Sequence, residues 1–181
     1  MNIVEPIRDM AKIEEMKLEF KKSSYRDYMI FLMGINSGLR ISDLLPLKVC
    51  DVKDKSYITI TEKKTKKTKK FLLDNIKSEL DDYITNMRGN EYLFQSQKGE
   101  NEPIQRNQAY KILNKVARKV GIEGKIGTHT MRKTFGYHFY QKTKDVALLQ
   151  NLFNHSSPSI TLRYIGINQD IMDNAIRGFR L

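Results

Sequence analysis

THTMRKTFGYHFY, residues 128–140, sets His129 and Arg132 three positions apart in a run of aromatic, apolar and small residues. Phe135 and Phe139 follow at helical spacing, so the run reads as a long helix with part of one face in a core. Residues three apart on a helix are neighbours on its surface, so this histidine and arginine point toward the same object. The chain holds only three histidines in all. Whether the pair means anything therefore depends on the partners that the rest of the sequence supplies.

The 181 residues suit one well-cored domain, taken here as 1–181, with a helical lead-in over 1–20 and a C-terminal helix over 168–181. A hydrophobic fraction of 40% and a charged fraction of 29% are those of a globular protein. No apolar run approaches the ~20 residues needed to span a membrane, and the N-terminus lacks a signal peptide's apolar centre. Cys50 is the single cysteine, which rules out an internal disulfide and argues against a zinc site. The net charge of +11 points to a polyanionic partner, most often nucleic acid, because neutralising phosphates releases counterions. A cytoplasmic, nucleoid-associated location is the expectation.

Outward from the opening stretch, helical periodicity recurs along most of the chain. Ile7, Met10, Ile13, Met16, Leu18 and Phe20 mark one or two helices at the front. YRDYMIFLMGINSGLR is apolar almost all round, which predicts a buried helix closed by Gly38, with Ser42 capping a following helix over ISDLLPLKV. YITIT and KFLLD flank a lysine-dense centre in a hairpin pattern. NIKSELDDYITNMR is an amphipathic helix, and EYLFQSQKGENEPI reads as a short strand and loop that turns at Lys98-Gly99. Helices are predicted again over Asn107–Val120, over DVALLQNLF, from Ser157-Pro158 onward and over INQDIMDNAIRGF. The fold class is α+β, mostly α-helical, with a small antiparallel sheet.

Six positions then stand out: Arg40 in SGLRISDLL, Lys64 in TEKKTKK, His129 and Arg132 in HTMR, His155 in FNHSS, and Tyr164 in TLRYIG. Each has an ordinary structural use on its own, as a dipole-pairing cation, a solvated loop lysine, a core or capping histidine, or an amphipathic tyrosine. In this order, with the tyrosine nine positions past the second histidine, they resemble the tyrosine recombinase (phage integrase) family over about 24–179. The ordered set is far more specific than any one short motif. The resemblance implies the catalytic-domain fold of that family and a DNA breaking and rejoining enzyme working through a covalent 3′-phosphotyrosine. It implies neither metal nor ATP, and no cofactor. Double-stranded DNA and a homo-oligomer, a tetramer assembled on DNA, are the implied partners.

By the same resemblance Arg40 and Arg132 are the two catalytic arginines, His129 and His155 the two histidine positions, Lys64 the hairpin lysine and Tyr164 the nucleophile. The chemistry suits these residue types. Guanidinium groups hold phosphate oxygens in a fork and never lose their charge. A tyrosine hydroxyl, with a pKa near ~10, gains from a base and from nearby cations. A leaving 5′ oxygen needs a proton, which a hairpin lysine can deliver. Lys63 and Lys66 stand as alternatives to Lys64; with Lys67 and Arg163 they are also candidate DNA contacts. Asp43 matches an acidic position of the family and either pairs with Arg40 or starts the next helix.

Two features depart from the family pattern. Asn154 precedes the second histidine where glycine is usual, and asparagine tolerates the left-handed backbone better than most residues. Arg40 comes early, so the chain is read as a short single-domain member, like the fimbrial-switch recombinases, or as a fragment. The apolar stripe Ile171, Met172, Ala175, Ile176 and Phe179 either folds onto its own core or packs on a neighbouring protomer. Competing functions are a type IB topoisomerase, a DNA-binding regulator without catalysis, and a metal-dependent nuclease. The last needs clustered carboxylates that Asp81-Asp82 and Glu14-Glu15 do not resemble.

Overall fold

The computed structural model describes residues 4–61, 68–124, 126–167, 173–174 and 176–180. Helix α1 (Met10–Ser23) begins where the Asp9 carboxylate accepts a hydrogen bond from the Ala11 amide at 2.8 Å, satisfying one of the donors that a helix start leaves open. It is one helix, burying Ile13, Met16 and Phe20 on a single stripe. Leu18 lies off that stripe and Met10 at the open end, so both are exposed, whereas Ile7 is buried although it precedes the helix. Ser24 ends α1, its amide bonding the Phe20 carbonyl, and starts α2 (Tyr25–Ser37), its hydroxyl accepting from the Asp27 amide.

Helix α2 is buried nearly all round, as its composition predicts. Gly38 closes it at φ +67°, a conformation that costs glycine little. A Cβ at this position would also come within 2.5 Å of the Phe135 ring. Helix α3 (Ile41–Leu44) is a single turn, with Arg40 and not Ser42 at its N-cap. The predicted longer helix fails at Pro46, which has no amide hydrogen and disfavours helical backbone at Leu45.

Strands β1 (Tyr57–Thr61) and β2 (Thr68–Leu72) pair antiparallel, from Tyr57 opposite Leu72 to Thr61 opposite Thr68. Ile58 and Phe71 face each other and enter the core, so one face of the hairpin is anchored and the other is wet. The hairpin tip, with Lys63, Lys64, Lys66 and Lys67, lies outside the described residues. Helix α4 (Lys77–Ile84) buries Leu80 and Ile84. Tyr83 donates to the Leu93 carbonyl at 2.6 Å, and burial pushes its hydroxyl up to about 12. The strand expected near Tyr92 is reduced to isolated bridges, Lys48 with Tyr92 and Gln95 with Pro103, around a turn at Gly99.

Helices α5 (Arg106–Lys119), α6 (Thr130–Thr143), α7 (Val146–Phe153) and α8 (Pro158–Tyr164) complete the described elements. The Asp145 carboxylate caps α7 and the Ser157 hydroxyl caps α8, with Pro158 in its first turn as read from sequence. Of the expected last helix, Asp173, Asn174, Ile176 and Arg177 are helical; Ile171, Met172 and Ala175 fall outside the described residues.

Two apolar clusters organise these elements. The larger gathers α1, α2, α4, α5 and the hairpin; Leu149, Phe153, Ile165 and Ile167 form the smaller. Helix α6 serves both, giving Met131 to the first and Phe135 and Phe139 to the second. Gly136 allows this, since a Cβ there would sit 2.7 Å from Phe153 and 2.8 Å from Ile165. The start of α6 is thereby held between Gly38, at the end of α2, and the end of α7. Among the described residues no helix is long and apolar enough to cross a membrane.

Candidate active site

Arg132 occupies the centre of this junction and is only 4% exposed. Its guanidinium donates through Nη1 to the Gly38 carbonyl and, at 3.0 Å, through Nη2 to the Phe153 carbonyl. Its Cζ lies 4.1 Å from the Phe153 ring centroid, a desolvated cation–π contact. Each terminal nitrogen carries a second N–H. Arg40 stands half-buried at the start of α3 and shares a small cavity with Arg132, Asp43, Ile60 and Lys69. Two fixed positive charges thus meet at the mouth of a cleft between α3, the hairpin and α7.

Tyr164 ends α8, and its hydroxyl lies 3.5 Å from His129 Nδ1. His129 occupies the N-cap of α6, one residue ahead of the helix on which it was expected. It still neighbours Arg132, because the backbone at His129 is near helical, at φ −81° and ψ −16°. Burial lowers the His129 pKa, and Arg106, Arg132, Lys133 and Arg40 lower it further. The ring is therefore neutral at pH 7, with a nitrogen lone pair available for a proton. Burial raises the Tyr164 hydroxyl, and Arg132 and Arg40 oppose that rise. The arrangement supplies a reluctant phenol, a base beside it and two cations that favour its anion.

His155 follows Asn154, which closes α7 at φ +56°, so the substitution for glycine is accommodated as its backbone tolerance predicts. The His155 ring meets Tyr164 edge-on at 5.1 Å, and Phe153 meets both, at 5.4 Å from His155 and 5.7 Å from Tyr164. Phe153 is thus the hub on which Arg132, His155 and Tyr164 are all mounted. In the sequence it is only the last residue of the predicted helix DVALLQNLF. Arg163 is exposed in the last turn of α8, beside the tyrosine. Asp43 lies in the first turn of α3, as the helix-start reading has it.

Four further residues enter the site that sequence reasoning did not assign to it. Lys69 on β2 donates to the Asn151 and Leu152 carbonyls at 2.9 and 3.1 Å, tying the hairpin to the last turn of α7. A cation at that end also suits the helix dipole. Lys133 is buried, its Nζ 5.0 Å from the Tyr164 ring centroid, and burial lowers its pKa. Arg106 donates to the Thr128 hydroxyl at 3.3 Å, beside His129. Arg8 donates to the Gly166 carbonyl at 3.0 Å, while the Ile7 amide bonds the Thr134 hydroxyl at 2.9 Å. The segment ahead of α1 therefore braces both α6 and the turn after Tyr164. Only the lysine run carried any prior signal. Among the described residues no group of three His, Cys, Asp or Glu is placed to hold a metal ion.

The model described as "Phage integrase family" matches residues 7–170. Over 180 residues the chain is 54% identical to the "Probable integrase/recombinase YoeC" of Bacillus subtilis (strain 168), covering 99% of this chain and 98% of that protein. It is 32% identical over 154 residues to a "Tyrosine recombinase" of Pseudothermotoga lettingae, covering 83% of this chain but only 52% of that one. Among solved structures it resembles the XerH site-specific recombinase bound to palindromic difH substrate, in a post-cleavage complex. That likeness has a TM-score of 0.75 at 20% identity and covers 96% of this chain and 53% of the other. The mostly helical fold with its small antiparallel sheet is the fold of that protein. The chain spans nearly the whole of the first relative and about half of the second.

Proposed function

The chain belongs to the phage integrase family of tyrosine recombinases, and from that membership we propose that it is a site-specific recombinase that cuts and rejoins double-stranded DNA through Tyr164. The observation that carries the proposal is the approach of the Tyr164 hydroxyl to neutral His129, with Arg132 stacked on Phe153 and Arg40 lining the same small cavity. The Tyr164 oxygen attacks the scissile phosphorus while His129 takes its proton. The bond from phosphorus to the 5′ oxygen breaks, leaving a 3′-phosphotyrosine. The 5′ oxygen leaves with a proton from the hairpin lysine, assigned to Lys64. Arg40 and Arg132 hold the non-bridging oxygens, and His155 donates to one of them. A preorganised donor of this kind is worth about 3 kcal/mol in the transition state. Attack by the freed 5′ hydroxyl of another strand reverses the step, which conserves the bond energy without ATP.

Net charge of +11 supports DNA as the partner. Lys63, Lys66, Lys67 and Arg163 are the proposed backbone contacts flanking the cut, and the enzyme would act in the cytoplasm, on the nucleoid. Ile176 and Phe179 are each 70% exposed, more than a helix packed on its own core would leave. They support a C-terminal segment seated on a neighbouring protomer, within a tetramer on DNA.

The test is denaturing electrophoresis of the protein incubated without added metal with nicked duplexes from around its own gene, beside Tyr164→Phe. A slow-migrating adduct from the wild type alone is the expected result. Cleavage products that carry no bound protein would refute the phosphotyrosine. Exchange between two sites, rather than relaxation of one plasmid, separates a recombinase from a topoisomerase.

A further inference from the structure

Thr161 is fully buried in α8, one turn before Tyr164. Its hydroxyl lies 3.0 Å from His155 Nδ1 and 3.3 Å from the Ser157 carbonyl. A hydroxyl has one hydrogen to give. If it goes to the Ser157 carbonyl, the imidazole must donate from Nδ1, and Nε2 is left as a bare lone pair. If it goes to Nδ1, the single imidazole hydrogen resides on Nε2. These are opposite states of one residue, and a phosphate oxygen, which only accepts, can be met by the second alone.

In the free protein the surroundings disfavour the third state, imidazolium. Three cations, Arg132, Arg40 and Lys69, act on His155, and no carboxylate is among the groups that shift it. The rings of Phe153 and Tyr164 close two of its sides. Burial is the largest of the effects that keep the ring neutral. Among the described residues Nε2 has no hydrogen-bond partner, whereas Nδ1 has Thr161. A neutral ring in a field of cations can bind an anion only as a correctly placed N–H.

We infer that Thr161 is a positioning residue that donates its hydroxyl hydrogen to His155 Nδ1, so that His155 meets the scissile phosphate as a neutral Nε2–H donor. The inference rests on the recombinase reading for its phosphate. The hydrogen bond itself belongs to the free protein. With Thr161 oriented in this way, His155 needs no proton from solvent, and its contribution stays constant from neutral pH down to the point where the ring charges. The Ser157 carbonyl is not stranded by this choice, since it accepts from the Thr161 amide at 3.3 Å.

The decisive measurement is a long-range nitrogen–proton correlation spectrum of the three histidines in the free protein at about pH 7, with His155 assigned by its loss in H155N. The wild type is expected to show His155 as the Nε2–H tautomer. T161V, which keeps the shape and removes the donor, is expected to shift His155 toward the Nδ1–H form. It should also slow covalent adduct formation about tenfold, the rate equivalent of roughly one hydrogen bond. T161S should restore both the tautomer and the rate. A wild-type Nδ1–H ring, or a T161V protein with an unchanged tautomer or cleaving at the wild-type rate, overturns the inference. The spectrum needs no DNA, so failure of every variant to cleave would count against the recombinase reading while the tautomer result stood.

Discussion

Arg132 is the residue at which folding and the proposed catalysis are hardest to separate, and the structure sets how much stability its removal should cost. Replacing Arg132 with alanine abolishes two hydrogen bonds from a buried cation to the Gly38 and Phe153 carbonyls. Hydrogen bonds to charged groups contribute about 1.5–3 kcal/mol each. The stacking on Phe153 adds about 1–2 kcal/mol. Against this, the folded state no longer has to desolvate a guanidinium, a cost of several kcal/mol that offsets about half of the gain. A net loss of about 3 kcal/mol remains, or roughly 6–12 °C in Tm for a chain of this size. Arg132→Lys reaches one carbonyl only and should lose about half as much. Calorimetry of wild type, Arg132→Ala, Arg132→Lys and Arg40→Ala tests the sum. Arg40, half-buried at the cavity mouth, should cost about 1 kcal/mol or less, although both alanine variants should slow cleavage at least ~100-fold. An Arg132→Ala protein that melts with the wild type would refute the reasoning, since it would mean that the carbonyls are satisfied without the guanidinium.

Gly136→Ala should destabilise by about 1–3 kcal/mol by urea titration, because overpacking against Phe153 and Ile165 outweighs the ~1 kcal/mol that alanine gains in a helix interior. A stabilised variant would place Phe153 elsewhere. The His155 pKa is lowered from 6.5 to about 4, by burial first and then by Arg132, Arg40 and Lys69. The unfolded chain therefore takes up a proton that the folded chain refuses, and stability should fall as pH drops from about 6.5 toward 4. Partial solvent exposure reduces the expected loss to about 2 kcal/mol, seen as a difference between wild type and His155→Gln in paired denaturation curves; equal slopes would refute it. Lys69→Met should cost about 1 kcal/mol and slow cleavage, with Lys69→Arg recovering both; an unchanged rate would deny the hairpin any hold on α7.

Much of the site was legible because its residues recur in a fixed order and type. Arg40, His129, Arg132, His155 and Tyr164 were all readable from short local strings, and the structure gathers them at one cleft. Helices α2, α5, α7 and α8 were readable for a related reason. Their apolar spacing and the end signals Gly38 and Ser157 act within a few residues, where sequence distance and spatial distance agree. The helix expected from Ser42 overlooked Pro46, a local stop, whereas the strand expected near Tyr92 lies where local propensity is weak and the packing decides.

The sequence by itself determined which groups are candidates for the chemistry, their order and the helical frame that carries them. Only the tertiary structure decided what holds them at working distance. Phe153 became a mounting for three side chains, and Arg132 came to bond a carbonyl 94 positions away. Ile7 reached Thr134 across 127 positions, and Lys69 reached the end of α7 across 82. Contacts of that span leave no periodicity to read. They arise because burying two apolar clusters around α6 brings the end of α2, the hairpin and α7 to one place, and the polar groups trapped there must satisfy one another.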